Sequence, residues 1–340
     1  MMTIILCEMS KKSLKVECTL CPKACQLVEG QRGDCRARIN LDGKLQTLVY
    51  GKPCAVHVDP IEKKPLYHVL PGSGAFSIAT AGCNLHCKNC QNWEISQADP
   101  EDVRYNDLPP EDVVKYAINK NCNSIAYTYT EPNIFYEYVF DTAVIAREKN
   151  ILNIMITAGY INEEPLRELA PYIDAANVDL KAFDEKFYKD ICDGELNVVL
   201  NSLKTYKELG TWIEITNLII PTLNDDLEMI SKMCEWILLN LGTDYPIHFS
   251  AFTPRYQMKN LPRTSVDTLT KAREKAFELG LHNVYVGNVG SHPGNHTYCP
   301  NCKKVVIYRQ GYAVDDKGIE DGKCKYCKTS IPGIWKIGDI

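Results

Sequence analysis

The sequence predicts an α/β protein. A partial (β/α)6-type barrel spans residues 73–290, between a Cys-rich N-terminal segment and barrel-capping loop, residues 1–72, and a small Cys-bearing domain, residues 291–340. Three observations predict it. Short apolar runs alternate with amphipathic stretches through the middle of the chain, the pattern of a parallel sheet with right-handed crossovers. Six or seven such units suit a full or partial barrel. A cysteine loop, not a Gly-rich phosphate loop, follows the first apolar run, which argues against a flat doubly wound sheet.

The elements follow in order. Ala75–Thr80 is the first strand, and Pro110–Lys120 a helix with Val113, Val114 and Ala117 at helical spacing. Ser124–Thr128 is a strand, and Asn133–Asn150 one long helix opened by Pro132. Asn153–Thr157 is a strand, Glu163–Ala170 a helix, and Ala175–Leu180 a strand. Leu196–Leu209 is a helix stopped by Gly210, Trp212–Leu218 a strand, and Asp225–Leu241 a helix ending at Gly242. Ile247–Phe252, the helix Val266–Leu279 and the strand Asn283–Val286 complete the series. In the C-terminal part Val305–Tyr308 reads as a strand and Asp315–Gly318 as a turn.

Composition narrows the function. The 340 residues carry 38 Lys+Arg against 43 Asp+Glu, a net charge of −5. That balance argues against a general nucleic-acid binder. No apolar run approaches the roughly 20 residues that cross a bilayer, and the opening residues make a poor signal peptide. The expected location is the cytoplasm. There, clustered cysteines bind metals rather than forming disulfides. Of 16 cysteines, 11 cluster: Cys18, Cys21, Cys25 and Cys35; Cys83, Cys87 and Cys90; Cys299, Cys302, Cys324 and Cys327. Cys7, Cys54, Cys122, Cys192 and Cys234 stand apart and read as buried small hydrophobes.

The central group, Cys83-x3-Cys87-x2-Cys90, lies just past the first strand, at the end where barrels place their chemistry. Soft thiolates select iron–sulfur clusters, zinc or Cu(I), and closed structural sites use four protein ligands. Three thiolates leave one corner of a cubane cluster open to a ligand from outside. A three-Cys zinc site completed by His86, and unliganded thiols, are the alternatives. Strand ends further along supply polar groups: Glu131 in Thr128-Tyr129-Thr130-Glu131-Pro132, Asp179 and Lys181 two residues apart on one face of a strand, and His248.

The C-x3-C-x2-C spacing resembles the radical S-adenosylmethionine (SAM) superfamily. In that family a [4Fe–4S] cluster binds SAM at its open iron and cleaves it reductively, which makes Cys83, Cys87 and Cys90 the catalytic centre. The likeness extends further. Asp59–His68, Gly82–Gln97, Thr128–Pro132, Asp179-Leu180-Lys181, His248–Phe252, Val284–Val289 and the final Cys-Pro-Asn-Cys resemble the radical SAM component of the AmmeMemoRadiSam system. That family is similar to pyruvate formate-lyase activating enzyme, and the match runs from about Cys18 to Trp335. The resemblance implies SAM contacts from Glu131, Asp179 and Lys181, with His248 a further candidate. It also implies a low-potential donor such as ferredoxin or flavodoxin, low-oxygen conditions and a Memo-like pathway partner. Two departures stand out. Ala158 replaces an Asn common in relatives. Thr222 replaces a Gly, which predicts a reshaped loop beneath the adenine.

Cys299-x2-Cys302 and Cys324-x2-Cys327, 21 residues apart, form a zinc-ribbon pattern with a structural zinc. Cys18, Cys21, Cys25 and Cys35 fit zinc or a second cluster, with zinc preferred. The charged segment from His57 to His68 is read either as a cap on the barrel mouth or as a solvated loop. The expected activity is radical chemistry on a small molecule or nucleoside. Activation of a glycyl-radical enzyme is one alternative, and non-enzymatic electron transfer is another.

Overall fold

A computed structural model of the chain describes residues 15–338; Cys7 and the leading apolar residues lie outside them. The centre is one eight-stranded sheet. In chain order its strands are β1 (Ala55–Pro60), β2 (Gly74–Ala79), β3 (Ser124–Tyr127), β4 (Leu152–Thr157), β5 (Ala175–Asp179), β6 (Trp212–Ile219), β7 (Ile247–Ala251) and β8 (Val284–Gly287). They lie side by side in that order, with β2 through β8 all parallel. Six helices make the crossovers: α1 (Pro110–Asn119), α2 (Tyr136–Glu148), α3 (Glu163–Leu169), α4 (Leu196–Glu208), α5 (Leu227–Asn240) and α6 (Val266–Leu279). The strands are buried on both faces, as helix-covered parallel strands must be.

Two helices start later than the periodicity suggests. Pro132–Phe135 forms a tight 3-10 turn before α2, because Pro132 has no N–H and the Glu131 side chain takes the Asn133 N–H. Before α5, Asp226 caps the Met229 N–H at 2.9 Å while Asp225 is spent on the Thr222 N–H.

The strand β1 is absent from the sequence reading. It runs antiparallel to β2, with Asp59 opposite Ala75, and closes one edge of the sheet. Its Pro60 sits at the strand end, where a missing N–H costs nothing. The chain then turns into the barrel. Ile61, Leu66, Val69 and Leu70, with Ile334, pack against Ala75, Ala126, Leu152, Ile154 and Ala175. Ala75, Leu152 and Ala175 lie at the starts of their strands and Pro60 pairs with Gly74, so the segment plugs the bottom of the barrel and does not cap its mouth. Nor is it a solvated loop: Asp59, Glu62, Lys64 and His68 are buried. Among the candidates His57 and Lys63 keep exposed positions.

The C-terminal domain locks onto this plug. Arg309 is buried, donates to the Tyr67 carbonyl at 2.7 Å and lies over the Tyr67 ring. The Leu70 N–H bonds the Ile334 carbonyl, and the Ile334 N–H bonds that of His68. Val305–Gln310 and Ala313–Asp315 pair as a hairpin through Gly311-Tyr312, and the expected turn at Asp315–Gly318 follows, closed by the Ile319 N–H on the Asp316 carbonyl.

Candidate active site

The loop after β2 carries the cysteine triad. Gly82 opens it with φ +93°, and its N–H bonds the Ile95 carbonyl. Cys87 and its neighbours are held from the far side: the His86 N–H bonds the Cys192 carbonyl and the Lys88 N–H that of Ile191. Ser96 Oγ lies 3.3 Å from Cys90 Sγ, and the Leu85 N–H points at Cys83 Sγ. Cys192 is no isolated hydrophobe. It ends a π-helical turn, Tyr188–Cys192, and its thiol donates to Cys87, holding Cys87 down at about 7. Cys83, Cys87 and Cys90 line the central cavity, whereas Cys192 lies behind it. His86 is turned away, engaged by Gln97 Oε1 at 2.7 Å and Asp34 Oδ2 at 3.0 Å.

The cavity is about 790 Å³ and opens over the C-terminal strand ends. It is lined by Glu62, Lys63, Lys64, Pro65 and Tyr67 of the plug segment, by Gly287–Gly290 after β8 and by Tyr312 of the C-terminal domain. Glu131 is buried in its wall. Oε1 accepts from Thr157 Oγ1 and Asn133 Nδ2, and Oε2 from the Ala158 N–H at 2.7 Å. Burial pushes its carboxyl up to about 7 against these donors. Oε1 is thus crowded, while Oε2 keeps room for another donor. Ala158, which has no polar side chain, contributes only its backbone N–H.

Lys181 Nζ meets Asp179 Oδ2 at 2.8 Å. Burial works to lower the lysine pKa, yet the Asp179 charge holds the ammonium well above its usual range. The Lys181 carbonyl is anchored by Asn224 Nδ2 at 2.6 Å and Asn217 Nδ2 at 3.2 Å. Asn224 belongs to the loop carrying Thr222, which takes φ +70°. Threonine here adopts the left-handed conformation that glycine prefers.

His248 also reaches the cavity, but Glu214 Oε2 holds its Nε2 at 2.7 Å in the fully buried base of the barrel. Asp59 accepts from Lys63 at 2.7 Å, from Lys64 at 2.6 Å and from Tyr129, whose backbone has φ +66°. Burial lowers the Lys64 ammonium to about 8, despite the Asp59 carboxylate beside it.

The other two cysteine groups differ in spacing. The sulfurs of Cys299, Cys302, Cys324 and Cys327 all lie within 4.8 Å of one another, with Cys299–Cys327 at 3.5 Å and Cys302–Cys324 at 3.7 Å. Neither the triad nor Cys18, Cys21, Cys25 and Cys35 brings three sulfurs together that closely. The four N-terminal cysteines instead surround a small cavity of their own.

The sequence reading gave no role to Asn89, Asn92, Ser96, Cys192 and Asn224. Asn92, Ser96 and Asn89 had a signal, since they fall within the triad loop. Cys192 and Asn224 had none, because only the fold brings them to the triad and to Lys181.

A model of the radical SAM superfamily matches residues 77–237. The chain is 44% identical to the uncharacterized protein MJ0808 of Methanocaldococcus jannaschii, over 93% of this chain and 95% of that one. It is 24% identical to the pyruvate formate-lyase-activating enzyme of Clostridium pasteurianum, over 59% and 87%. Among solved structures, Streptococcus suis SuiB bound to precursor peptide SuiA shares the fold, with TM-score 0.51, 15% identity and 68% and 52% of the two chains covered. No helix among the described residues is long and apolar enough to cross a membrane. The chain is an enzyme of the radical SAM superfamily, related to pyruvate formate-lyase-activating enzyme, and the family implies a [4Fe–4S] cluster and SAM.

Proposed function

We propose that Cys83, Cys87 and Cys90 hold the [4Fe–4S] cluster and that the cavity above β2–β7 takes SAM and a small-molecule or nucleoside substrate. The observation that carries this is the donor set of one cavity: three thiols spaced wider than one metal ion needs, facing the Asp179–Lys181 pair and Glu131. Asn89 supports the fit, since its buried Oδ1 faces this cavity without a protein partner. The bound cluster and SAM together supply a 5′-deoxyadenosyl radical.

The chain's own residues do the rest. Lys181 offers a cation for the SAM carboxylate, and Asp179 holds that cation in place. Oε2 of Glu131 offers an acceptor for the ammonium. Thr157 and Asn133 fix the Glu131 rotamer, and Ser96 and the Leu85 N–H supply hydrogen bonds to sulfur that tune the cluster. His248 contributes to the floor and is positioned by Glu214.

The cavity falls within the range of small-molecule sites, and part of it must hold SAM. That size favours a small substrate over a protein loop. The similarity to pyruvate formate-lyase-activating enzyme favours the second reading, activation of a glycyl-radical enzyme. We assign the chain to the AmmeMemoRadiSam type on its motifs, with a cytoplasmic low-oxygen setting, a Memo-like partner and a ferredoxin or flavodoxin donor. The ribbon takes zinc: a tetrahedral ion with Zn–S of about 2.3 Å sets sulfurs about 3.8 Å apart, close to the 3.5 and 3.7 Å found.

The test is anaerobic reconstitution with iron and sulfide, then reductant and SAM, with 5′-deoxyadenosine and methionine measured. Wild type should form both and Cys87→Ala neither. Low-molecular-weight cell extract should accelerate 5′-deoxyadenosine formation. Acceleration by the protein fraction alone would select the activase reading.

A further inference from the structure

Cys18, Cys21 and Cys35 are buried and Cys25 partly buried, around a small cavity next to the active site. The loops are built to present sulfur. The Asp34 N–H points at Cys25 Sγ at 3.4 Å, and the N–H groups of Leu20, Lys23 and Ala37 donate to Cys18, Cys21 and Cys35. A Cβ at Gly33 would meet both Cys25 Sγ and Cys35 Sγ at an ordinary 3.8 Å, so a branched side chain there would extend toward the sulfurs. Arg38, 3% exposed, lines the same cavity. Glu137 takes its two terminal nitrogens at 2.7 and 2.8 Å, while its Nε has no protein partner.

Spacing decides what the cavity holds. The ribbon cysteines show how this chain presents thiols to a single ion, with all four sulfurs within 4.8 Å. The N-terminal group does not close to that distance, and in this it matches the triad. A cubane puts an iron at each corner between its thiolates, so its ligands stand farther apart than those of one zinc. Four thiolates and a buried guanidinium suit a cluster of net negative charge.

We propose that Cys18, Cys21, Cys25 and Cys35 hold a second [4Fe–4S] cluster, closed by four protein ligands. It takes the second of the two readings the sequence left open, in place of the preferred zinc. The site abuts the triad loop: the Cys35 carbonyl lies against Gly82, and the Asn84 side chain hydrogen-bonds Cys21. Such a cluster relays electrons. An external low-potential carrier protein loses one electron, the triad-held cluster gains it, and no bond is made or broken at the N-terminal site. The relay role rests on the reading of the triad given above, whereas the existence of the second cluster does not.

The test uses the full chain, reconstituted anaerobically with iron and sulfide, with iron, sulfide and zinc counted per chain. Wild type should hold ~8 iron and ~1 zinc, and Cys83→Ala/Cys87→Ala/Cys90→Ala ~4 iron with ~4 sulfide and a retained [4Fe–4S] EPR signal. Gly33→Val should halve the wild-type iron while leaving the triad cluster's EPR signal. A triad variant without iron, or wild type with ~4 iron and ~2 zinc, would overturn the inference. If instead the triad reading is wrong, the wild type and the triad variant hold equal iron.

Discussion

Gly82 lies directly against the carbonyl oxygen of Cys35: a side-chain carbon at position 82 would stand 2.3 Å from it. This contact joins the loop of the central triad to the N-terminal cysteine module. It explains why the residue before Cys83 must be glycine. The position combines a backbone approach no Cβ tolerates with φ +93°.

Gly82→Ala should therefore be among the most damaging conservative changes in the chain. Backbone strain of this kind costs about 1–3 kcal/mol, and the clash adds to it because the opposing atom is backbone. The expected result is a lowered thermal midpoint together with lost iron from both sites. Wild-type melting and iron content would remove the contact from the account.

Thr222→Gly should act in the opposite direction. Thr222 is exposed and adopts φ +70°, which costs a β-branched residue about 1–2 kcal/mol. Its N–H bond to Asp225 Oδ1 does not depend on the side chain. Net of the greater freedom of glycine in the unfolded chain, stability should rise by about 0.5–1 kcal/mol. The denaturant midpoint reads this directly.

Acid lability should trace to His68. Nδ1–H donates to the Pro332 carbonyl at 2.7 Å, which fixes Nε2 as the acceptor for Tyr285 Oη at 2.6 Å. Burial lowers its pKa to about 4, although the Glu214 carboxylate opposes this, while Arg309 and His248 add to it. The folded state thus binds fewer protons than the unfolded state between pH 4 and about 6.5, so stability falls as pH drops through that window. The loss approaches about 3 kcal/mol at the acid end. His68→Gln should be less stable at pH 7 and show a flatter pH dependence of the denaturant midpoint between pH 4 and 6.5. An unchanged slope contradicts the assignment.

Lys181→Met should weaken SAM binding with little change in iron content. A lost hydrogen bond to a charged group is worth roughly 1.5–3 kcal/mol, about 10- to 100-fold in KM for SAM. Thr157→Val should have a smaller effect of the same kind, through the freed Glu131 rotamer. A change confined to kcat would argue against a binding role for Lys181.

Much of this fold is legible in the sequence. Strands such as Ile247–Ala251 and helices such as Val266–Leu279 are continuous local patterns, and periodicity finds them. The charged segment from His57 to His68 is not legible. Asp59, Glu62, Lys64 and His68 read as a surface loop because their partners, Tyr129, Arg309, Glu214 and Tyr285, are distant in the chain. The site divides the same way. Cysteine spacing finds the three thiol groups, and strand-end position finds Glu131, Asp179 and Lys181. Sequence spacing does not separate a one-ion site from a wider one, since Cys299–Cys302 and Cys18–Cys21 share C-x2-C yet differ in how their groups close.

The central claim is that SAM joins the metal centre held by Cys83, Cys87 and Cys90. EPR of the anaerobically reduced protein, recorded before and after adding SAM, tests it most directly. The signal lost in Cys87→Ala should shift when SAM is added, and a second signal from the N-terminal site should stay fixed. A wild-type spectrum that SAM leaves unchanged, with every corner of that centre already taken by protein, would contradict the account.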